Sequence, residues 1–415
     1  MASQIAIHPN ALNASSAPSA GARRVRILQI FSRYLSYGGE EGSVYRIGDA
    51  LQDVTDVEYF FDSSHSLDRS SAWSTLVAAG KAWNNREARR KLRRLQRVGS
   101  FDFWQIHNVF PALSPGVYEE AFEMRIPILH FLHNYRMSCV NGMFLNHGAP
   151  CHACIGGNFA TALATGCWHD SRLQSGYMGA VMTRVRWIGV LKRINRWVAI
   201  SAAQKRLHVA MGIPEDRIDV LHHFHEPTAP PPPFPESPGV AYFGRLSAEK
   251  GVDYLLRAWG RLRLKDVPLR IAGDGPERPR LEELVRKEGL RNVEFLGFLK
   301  GSEARRVWEK TSLAVIPSIW EEPFGMVALE AFAHARPVVA FASGGLTEIV
   351  TDRVNGLLVQ PRSEEKLAEA IAEWTADHAT AQAAGREGHR VLLEQFTREQ
   401  WVRRIKRIYR SMLET

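Results

Sequence analysis

Apolar residues in this chain come in short runs that alternate with longer segments of helical period. Val25 to Phe31 (VRILQIF) is a run rich in β-branched residues, followed by Gly38-Gly39-Glu40-Glu41-Gly42 and a helix-period stretch from Val44 to Leu51. That order reads as strand, glycine-rich loop, helix. Val57 to Phe61 and Phe103 to Ile106 repeat the strand pattern, and Arg86 to Gln96 reads as a polar, basic helix. Such alternation predicts an α/β fold built on a parallel sheet.

The twelve residues from Pro227 to Pro238 (PTAPPPPFPESP) cannot form a helix or a central strand, because proline lacks the N–H donor and fixes φ. They are expected to link two domains. A second strand-helix series follows, with strands over Val240 to Phe243, Leu269 to Ala272, Val293 to Phe295, Leu313 to Ile316, Val338 to Phe341 and Gly356 to Val359. Two Rossmann-like domains fit this pattern, over 24–226 and 239–396. Ligands of such sheets bind at the carboxyl ends of the strands, so facing domains would share one cleft.

The strand Leu313 to Ile316 runs into Pro317-Ser-Ile-Trp-Glu-Glu322-Pro-Phe324-Gly325, and then into an alanine-rich, helix-favouring stretch from Met326 to Ala335. The first N–H groups of that helix lack internal partners and form an anion site near Phe324, Gly325 and Met326. Glu330 lies about 7 Å further along the axis, comparable to the span from a diphosphate to its ribose. Glu322 stands at the loop mouth, where a carboxylate accepts hydrogen bonds from sugar hydroxyls. The plainer alternative makes Glu322 a helix cap and Glu330 a solvated face residue. The apolar neighbours Val327, Ala328, Leu329, Ala331 and Phe332 weigh against it, since an unpaired charge among them is costly.

Glu322 to Glu330, with Pro-Phe-Gly between, resembles the E-x7-E segment of the family-four retaining glycosyltransferases (glycosyl transferases group 1). The resemblance continues through Gly244-Arg245-Leu246-Ser-Ala-Glu-Lys250-Gly251, Ile271-Ala-Gly-Asp-Gly-Pro276, Val293 to Gly297 and Phe341-Ala-Ser-Gly-Gly-Leu-Thr-Glu348-Ile-Val. It implies the GT-B fold, with an acceptor domain over 24–226 and a donor domain over 239–396. It also implies a closing helix over 397–415 that returns to the first domain. The expected reaction moves a sugar from a nucleotide-diphosphate sugar to a glycan or lipid-linked acceptor, with retention, in polysaccharide or lipopolysaccharide assembly. A nucleotide-sugar epimerase on the same fold is the main rival.

A departing diphosphate develops negative charge that the site must stabilise. The chain contains no Asp-x-Asp, so no catalytic metal is expected and fixed cations should do this work. Arg245 and Lys250 follow a strand at the cleft side, and the resemblance implies diphosphate contacts for both. Gly38 and Gly39 end the first strand and, by the same resemblance, offer backbone amides to the diphosphate. His133, in Ile128-Leu-His-Phe-Leu-His133-Asn-Tyr-Arg, is implied to bond the donor sugar beside the reaction centre, whereas His130 reads as an interior histidine. No nucleophilic carboxylate is evident on the facing domain. The resemblance implies a same-face reaction in which the leaving diphosphate takes the acceptor's proton.

All four cysteines fall in one window, Cys139-x11-Cys151-x2-Cys154-x12-Cys167. The spacing can supply a thiolate shell for a structural zinc that pins an insertion near 139–167. Two disulfides and four unconnected thiols stay open as alternatives. HNYR followed by CxNGxF and CxxC is similar to a subset of bacterial family-four enzymes of surface-polysaccharide assembly.

With 415 residues and 45% hydrophobic content the chain can bury two cores, and its formal charge of +9 favours an anionic partner. Residues 1–23 read as a disordered leader lacking a secretory apolar core. Arg86, Arg89, Arg90, Lys91, Arg93, Arg94 and Arg97 crowd one helix. Arg184, Arg186, Lys192, Arg193 and Arg196 are read as a second basic helix flanking Trp187 and Trp197. A cytoplasmic protein that docks on an anionic inner membrane is the expectation. Nucleic acid is not expected as a partner, because no recognition motif accompanies the charge.

Overall fold

The computed structural model describes residues 23–33, 39–63, 72–227, 230–262, 264 and 266–414. In the first half, β1 (Val25–Arg33), β2 (Thr55–Ser63), β3 (Phe103–Asn108), β4 (Ile128–Leu132), a small hairpin β5 (Leu145–Asn146) and β6 (Ala149–Pro150), β7 (Arg196–Ala199) and β8 (Ile218–Val220) follow in turn. The second half supplies β9 (Val240–Phe243), β10 (Leu269–Ala272), β11 (Val293–Gly297), β12 (Leu313–Ile316), β13 (Val338–Phe341) and β14 (Gly356–Val359). They form two six-stranded sheets, β2-β1-β3-β4-β7-β8 and β11-β10-β9-β12-β13-β14. Within both, every paired strand is parallel.

Parallel strands are buried on both faces, and the alternation of side chains divides each strand between two cores. In the first sheet Leu28, Trp104, Ile128 and Trp197 enter one core. Their neighbours Ile27, Phe103, Leu129 and Val198 enter the other. The second sheet does the same, with Val315, Val339 and Phe341 on one face and Ala314, Ile316, Val338 and Ala340 on the other.

Helix Arg398–Leu413 completes the second core of the first sheet. Trp401, Ile405, Ile408, Tyr409 and Met412 recur at helical spacing and pack with Phe103, Leu129 and Phe131. The Tyr409 hydroxyl donates to Gln105 Oε1 at 2.6 Å inside that core. Arg336 is fully buried in the second domain and fixes the proline-rich stretch, its Nη1 and Nη2 donating to the Pro232 and Pro233 carbonyls at 3.3 and 2.7 Å. Proline has no N–H to offer, so the carbonyls are the main-chain groups by which these prolines can be held.

Three local readings of the sequence are corrected. The first helix spans Gly39–Leu51 and so absorbs all of the glycine-rich segment but Gly38. Glu40 and Glu41 favour the positive end of a helix, and Glu41 also pairs with Arg33 at 2.7 Å. The second basic segment is not one helix: it divides among Arg172–Trp187, Val190–Arg193 and β7. Trp197 is fully buried in β7, whereas Trp187 is 85% exposed. The basic stripes are also partly neutralised, since Arg89 and Arg93 meet Glu120 and Glu123, and Arg184 meets Glu119.

Candidate functional site

Where the strand order of a parallel sheet reverses, neighbouring loops leave in opposite directions and open a crevice at the carboxyl ends. The reversals here fall between β1 and β3 and between β9 and β12. The β3 end carries His107 and the next strand leads to His133. The β9 end leads to Arg245 and Lys250, and the β12 end to Pro317 through Gly325.

On the second domain, Lys250 Nζ lies 2.7 Å from Glu322 Oε2. Trp320 Nε1 donates to the same oxygen at 2.8 Å, and the Lys250 ammonium sits 5.1 Å from the Trp320 ring centroid. Burial alone would raise the Glu322 carboxyl, but Lys250, Trp320 and Ser318 together hold it below the usual carboxylate range. The loop is clamped from behind by the Ser343-Gly344-Gly345 turn, whose Gly345 N–H donates to the Glu322 carbonyl at 2.7 Å. At Gly344, with φ +49°, an added Cβ would stand 2.2 Å from that carbonyl oxygen. Gly325, with φ +111°, is equally confined, 2.4 Å from Leu346 Cδ2.

Helix Met326–Ala333 starts directly after Gly325 with no side chain capping it. Its first turn therefore presents main-chain N–H groups and the positive end of the dipole. Glu330 follows one turn on; burial raises its carboxyl, and Arg46 of the first domain opposes the rise. Arg46 Nη1 also reaches Met326 Sδ at 3.6 Å. The Phe324 ring packs against His222, His223 and Phe396, so any ligand contact from this residue is left to its main chain. Arg245 is exposed, and its carbonyl accepts the Tyr242 hydroxyl at 2.9 Å.

On the first domain, His133 Nε2 is 2.8 Å from His107 Nδ1, and His107 Nε2 is 2.8 Å from Gln29 Oε1. The Gln29 amide oxygen accepts only and is the nearer partner, the Gln105 amide nitrogen lying 3.4 Å from the same Nε2, so His107 carries its proton on Nε2 and accepts the His133 Nε2 proton on Nδ1. His133 is thereby held with a lone pair on Nδ1. Burial pushes His133 down to about 3 and His107 well below its ordinary value, so both rings are neutral. His133 stacks on His223 at 5.7 Å, and His223 meets the Phe324 ring at 5.5 Å, which completes a ring contact across the cleft. Asn134 Nδ2 donates to Glu40 Oε2 at 2.8 Å and ties this loop to the helix that begins at Gly39. Gly38 lies outside the described residues.

Glu348 closes the domains on each other. Its two carboxylate oxygens accept the Ala202 and Ala203 N–H groups at 2.8 and 2.7 Å, at the start of helix Ala202–Ala210, and Oε2 also meets His222 Nε2 at 3.0 Å.

Residues 229–391 match the family model of glycosyl transferases group 1. The matched stretch coincides with the second domain. An uncharacterized glycosyltransferase of Methanocaldococcus jannaschii is 33% identical over 177 residues, 42% of this chain and 45% of that protein. The alpha-D-kanosaminyltransferase of Streptomyces kanamyceticus is 38% identical over 139 residues, 33% of this chain and 36% of that protein. The chain spans less than half the length of these curated relatives. Likeness in fold is wider. The crystal structure of Anabaena HepE with UDP and glucose aligns at TM-score 0.66 and 20% identity, over 93% of this chain and all of that one. Sucrose-phosphate synthase from Thermosynechococcus elongatus aligns at TM-score 0.68 and 20% identity, over 94% and 100%. The two facing Rossmann-like domains are those of the GT-B fold.

Of the residues singled out in the sequence, Lys250, Glu322 and Gly325 are brought into one loop cluster. Glu330 follows on the helix that leaves it, and His133 meets the cluster through His223. Arg46, His107, His222, His223 and Trp320 were not singled out. One signal was legible: Ile106-His107-Asn108 and Leu132-His133-Asn134 end successive strands with the same His-Asn pair. Arg46 carries no comparable mark.

Proposed function

We propose that this chain is a retaining glycosyltransferase that moves a sugar from a nucleotide-diphosphate sugar to a glycan or lipid-linked acceptor. The observation that carries the reading is the Lys250–Glu322 pair set beside the uncapped start of helix Met326–Ala333. A cation and a dipole end at one loop suit the charge that builds on a departing diphosphate. Glu322 keeps Lys250 aimed, and Arg245 adds a forked donor from solvent. Glu330 holds the ribose hydroxyls. His133 offers its Nδ1 lone pair to a sugar hydroxyl, and Gly39 marks where the first domain meets the donor. No residue acts as a nucleophile; the leaving oxygen takes the acceptor proton while the protein supplies position and charge. Relatives that are named transferases, and a neighbour holding UDP and glucose, support a nucleotide-sugar donor.

The acceptor reading places polysaccharide or lipopolysaccharide assembly at a membrane surface. Among the described residues no helix is long and apolar enough to cross a membrane. Exposed Arg86, Arg90, Arg94 and Arg97 share one helix, and they suit peripheral contact with an anionic leaflet.

The test is a thermal-shift screen of nucleotide sugars, followed by transfer assays with the stabilising donor and analysis of product anomeric configuration by NMR. A donor-specific shift and a retained configuration are expected. No shift with any nucleoside diphosphate or its sugar, or conversion of the donor to its epimer without an acceptor, overturns the reading.

A further inference from the structure

The insertion after β4 brings four sulfur atoms to one place. Cys139, Cys151, Cys154 and Cys167 line a single small cavity together with Asn141, Leu145, Asn146, Thr161, Ala162 and Thr165. No charged side chain shares that lining; beside the four thiols it offers only the neutral oxygens of Asn141, Asn146, Thr161 and Thr165. All four cysteines are reduced.

The backbone around the sulfurs is built in a repeated way. Gly142 N–H donates to the Cys139 carbonyl at 2.9 Å, and Gly157 N–H donates to the Cys154 carbonyl at 2.9 Å. Each cysteine thus opens a tight turn closed three residues later by a glycine, with φ +78° and +83°. Asn141 joins the loops: its Oδ1 accepts from Met143 N–H and the Cys139 thiol, and its Nδ2 donates to the Leu145 and Cys167 carbonyls.

The insertion's sheet is the two-residue pairing of β5 with β6, and its apolar residues are divided: Tyr135, Cys139 and Phe144 cluster with Met211, Ile155 and Leu207, while Val140, Cys154, Phe159 and Ala162 enter the first domain's core.

We propose that Cys139, Cys151, Cys154 and Cys167 together bind one structural zinc ion. Four soft thiolates with no carboxylate or water-bearing group select zinc over the hard cations magnesium and calcium. Among the described residues no three histidine, cysteine or acidic side chains already stand at ligating distance from one point. Binding therefore draws the sulfurs inward across the cavity they line. The parts that move are turns and the six-residue helix Ala160–Thr165, so closure needs no rearrangement of either sheet. The thiol protons leave as the metal enters.

The ion would order more than the insertion itself. Leu145 and Met143 pack into the core of the second domain, Tyr135 meets Trp320 edge-on at 6.5 Å, and His152 Nε2 lies 3.8 Å from Glu321 Oε1. His152 stands between Cys151 and Cys154, and Glu321 precedes Glu322. A zinc here fixes the surface of the first domain that abuts the donor loop.

Metal analysis of the intact chain, purified without chelator, tests this independently of the donor assignment. About one zinc per chain is expected, released by a mercurial thiol reagent and trapped by a chromogenic chelator. Cobalt replacement should give the intense visible bands and the thiolate charge-transfer band of a tetrahedral sulfur site. A Cys151→Ser/Cys154→Ser double variant should lose nearly all of its zinc and melt lower by on the order of 5 °C. Less than a tenth of an equivalent of zinc, iron in its place, disulfides in the native chain, or four thiols that titrate freely before and after zinc addition would each overturn the proposal. The wild-type measurements decide it even where the double variant fails to fold.

Discussion

Lys250 and Glu322 form a pre-made ion pair at 2.7 Å, and the indole N–H of Trp320 closes on the same carboxylate oxygen. The cation is therefore oriented before any ligand arrives, and orientation is what a charge-stabilising site must hold ready. Lys250→Ala should lower kcat/KM for the donor by about 100-fold or more, and Glu322→Gln by a comparable factor through loss of Lys250's anchor. Steady-state kinetics with the stabilising donor, beside circular dichroism to verify folding, check both. Turnover within threefold of wild type in both variants would remove this pair from the mechanism.

His107 touches the reaction side only through His133. His107→Phe should keep the stacked ring but leave the His133 proton without its acceptor, so His133 loses its fixed tautomer. We expect a fall in kcat of about 10-fold to 100-fold with donor binding little changed. Nitrogen-15 NMR of the ring should show the His133 proton confined to Nε2 in the wild type and distributed between both nitrogens in the variant. An unaltered ring spectrum would show that His107 does not set the tautomer.

Gly344→Ala places a methyl against the Glu322 carbonyl in a backbone region that alanine rarely adopts. The donor loop must shift, at a cost of about 1–3 kcal/mol in stability. Donor KM should rise more than kcat falls. A crystal structure of the variant with an unmoved Glu322 carbonyl would refute the clamp.

Glu348→Ala deletes three interdomain hydrogen bonds at once. Small-angle scattering should register a larger radius of gyration, and the melting temperature should drop by a few degrees. Unchanged scattering profiles would mean that the closed arrangement rests on other contacts.

Acid should loosen the fold before it protonates the carboxylates. Burial pushes His130 and His133 down to about 3, and His208 and His225 down to about 4. In the unfolded chain these rings bind protons near 6.5. Between about 6.5 and 3 the unfolded state thus holds more protons, and stability falls as pH falls through that window. Above 7 the rings are neutral in both states and contribute no pH dependence. Melting curves from pH 8 to 4 should be flat at first and then descend below about 6.5; a flat profile down to pH 5 would contradict this.

Much of the architecture was legible because strands buried on both faces must be apolar throughout, as Leu313 to Ile316 and Val338 to Phe341 are. The start of helix Met326–Ala333 was legible for a local reason, an alanine-rich stretch after a glycine. What escaped was set by distance along the chain. Nothing near Lys250 announces that Glu322, 72 residues away, will be its partner. Trp197 was misread because β7 has only four residues and sits among arginines, so local charge outweighed a strand signal too short to register. The cysteine window was legible as spacing, but the shared cavity belongs to the fold.

Arg336 has a consequence for motion. By gripping Pro232 and Pro233 it makes the proline-rich stretch travel with the second domain as part of one rigid piece. The pivot must then lie where the chain crosses between domains, just before the prolines and again before helix Arg398–Leu413. Those two crossings are joined by the His225 N–H and the Phe396 carbonyl at 3.0 Å. Paired crossings held by this main-chain hydrogen bond and by the His222–Phe396 and Phe224–Trp401 ring contacts make a door with two leaves on one pin: the cleft can open and shut by rotation, while Pro232 and Pro233 contribute no slack.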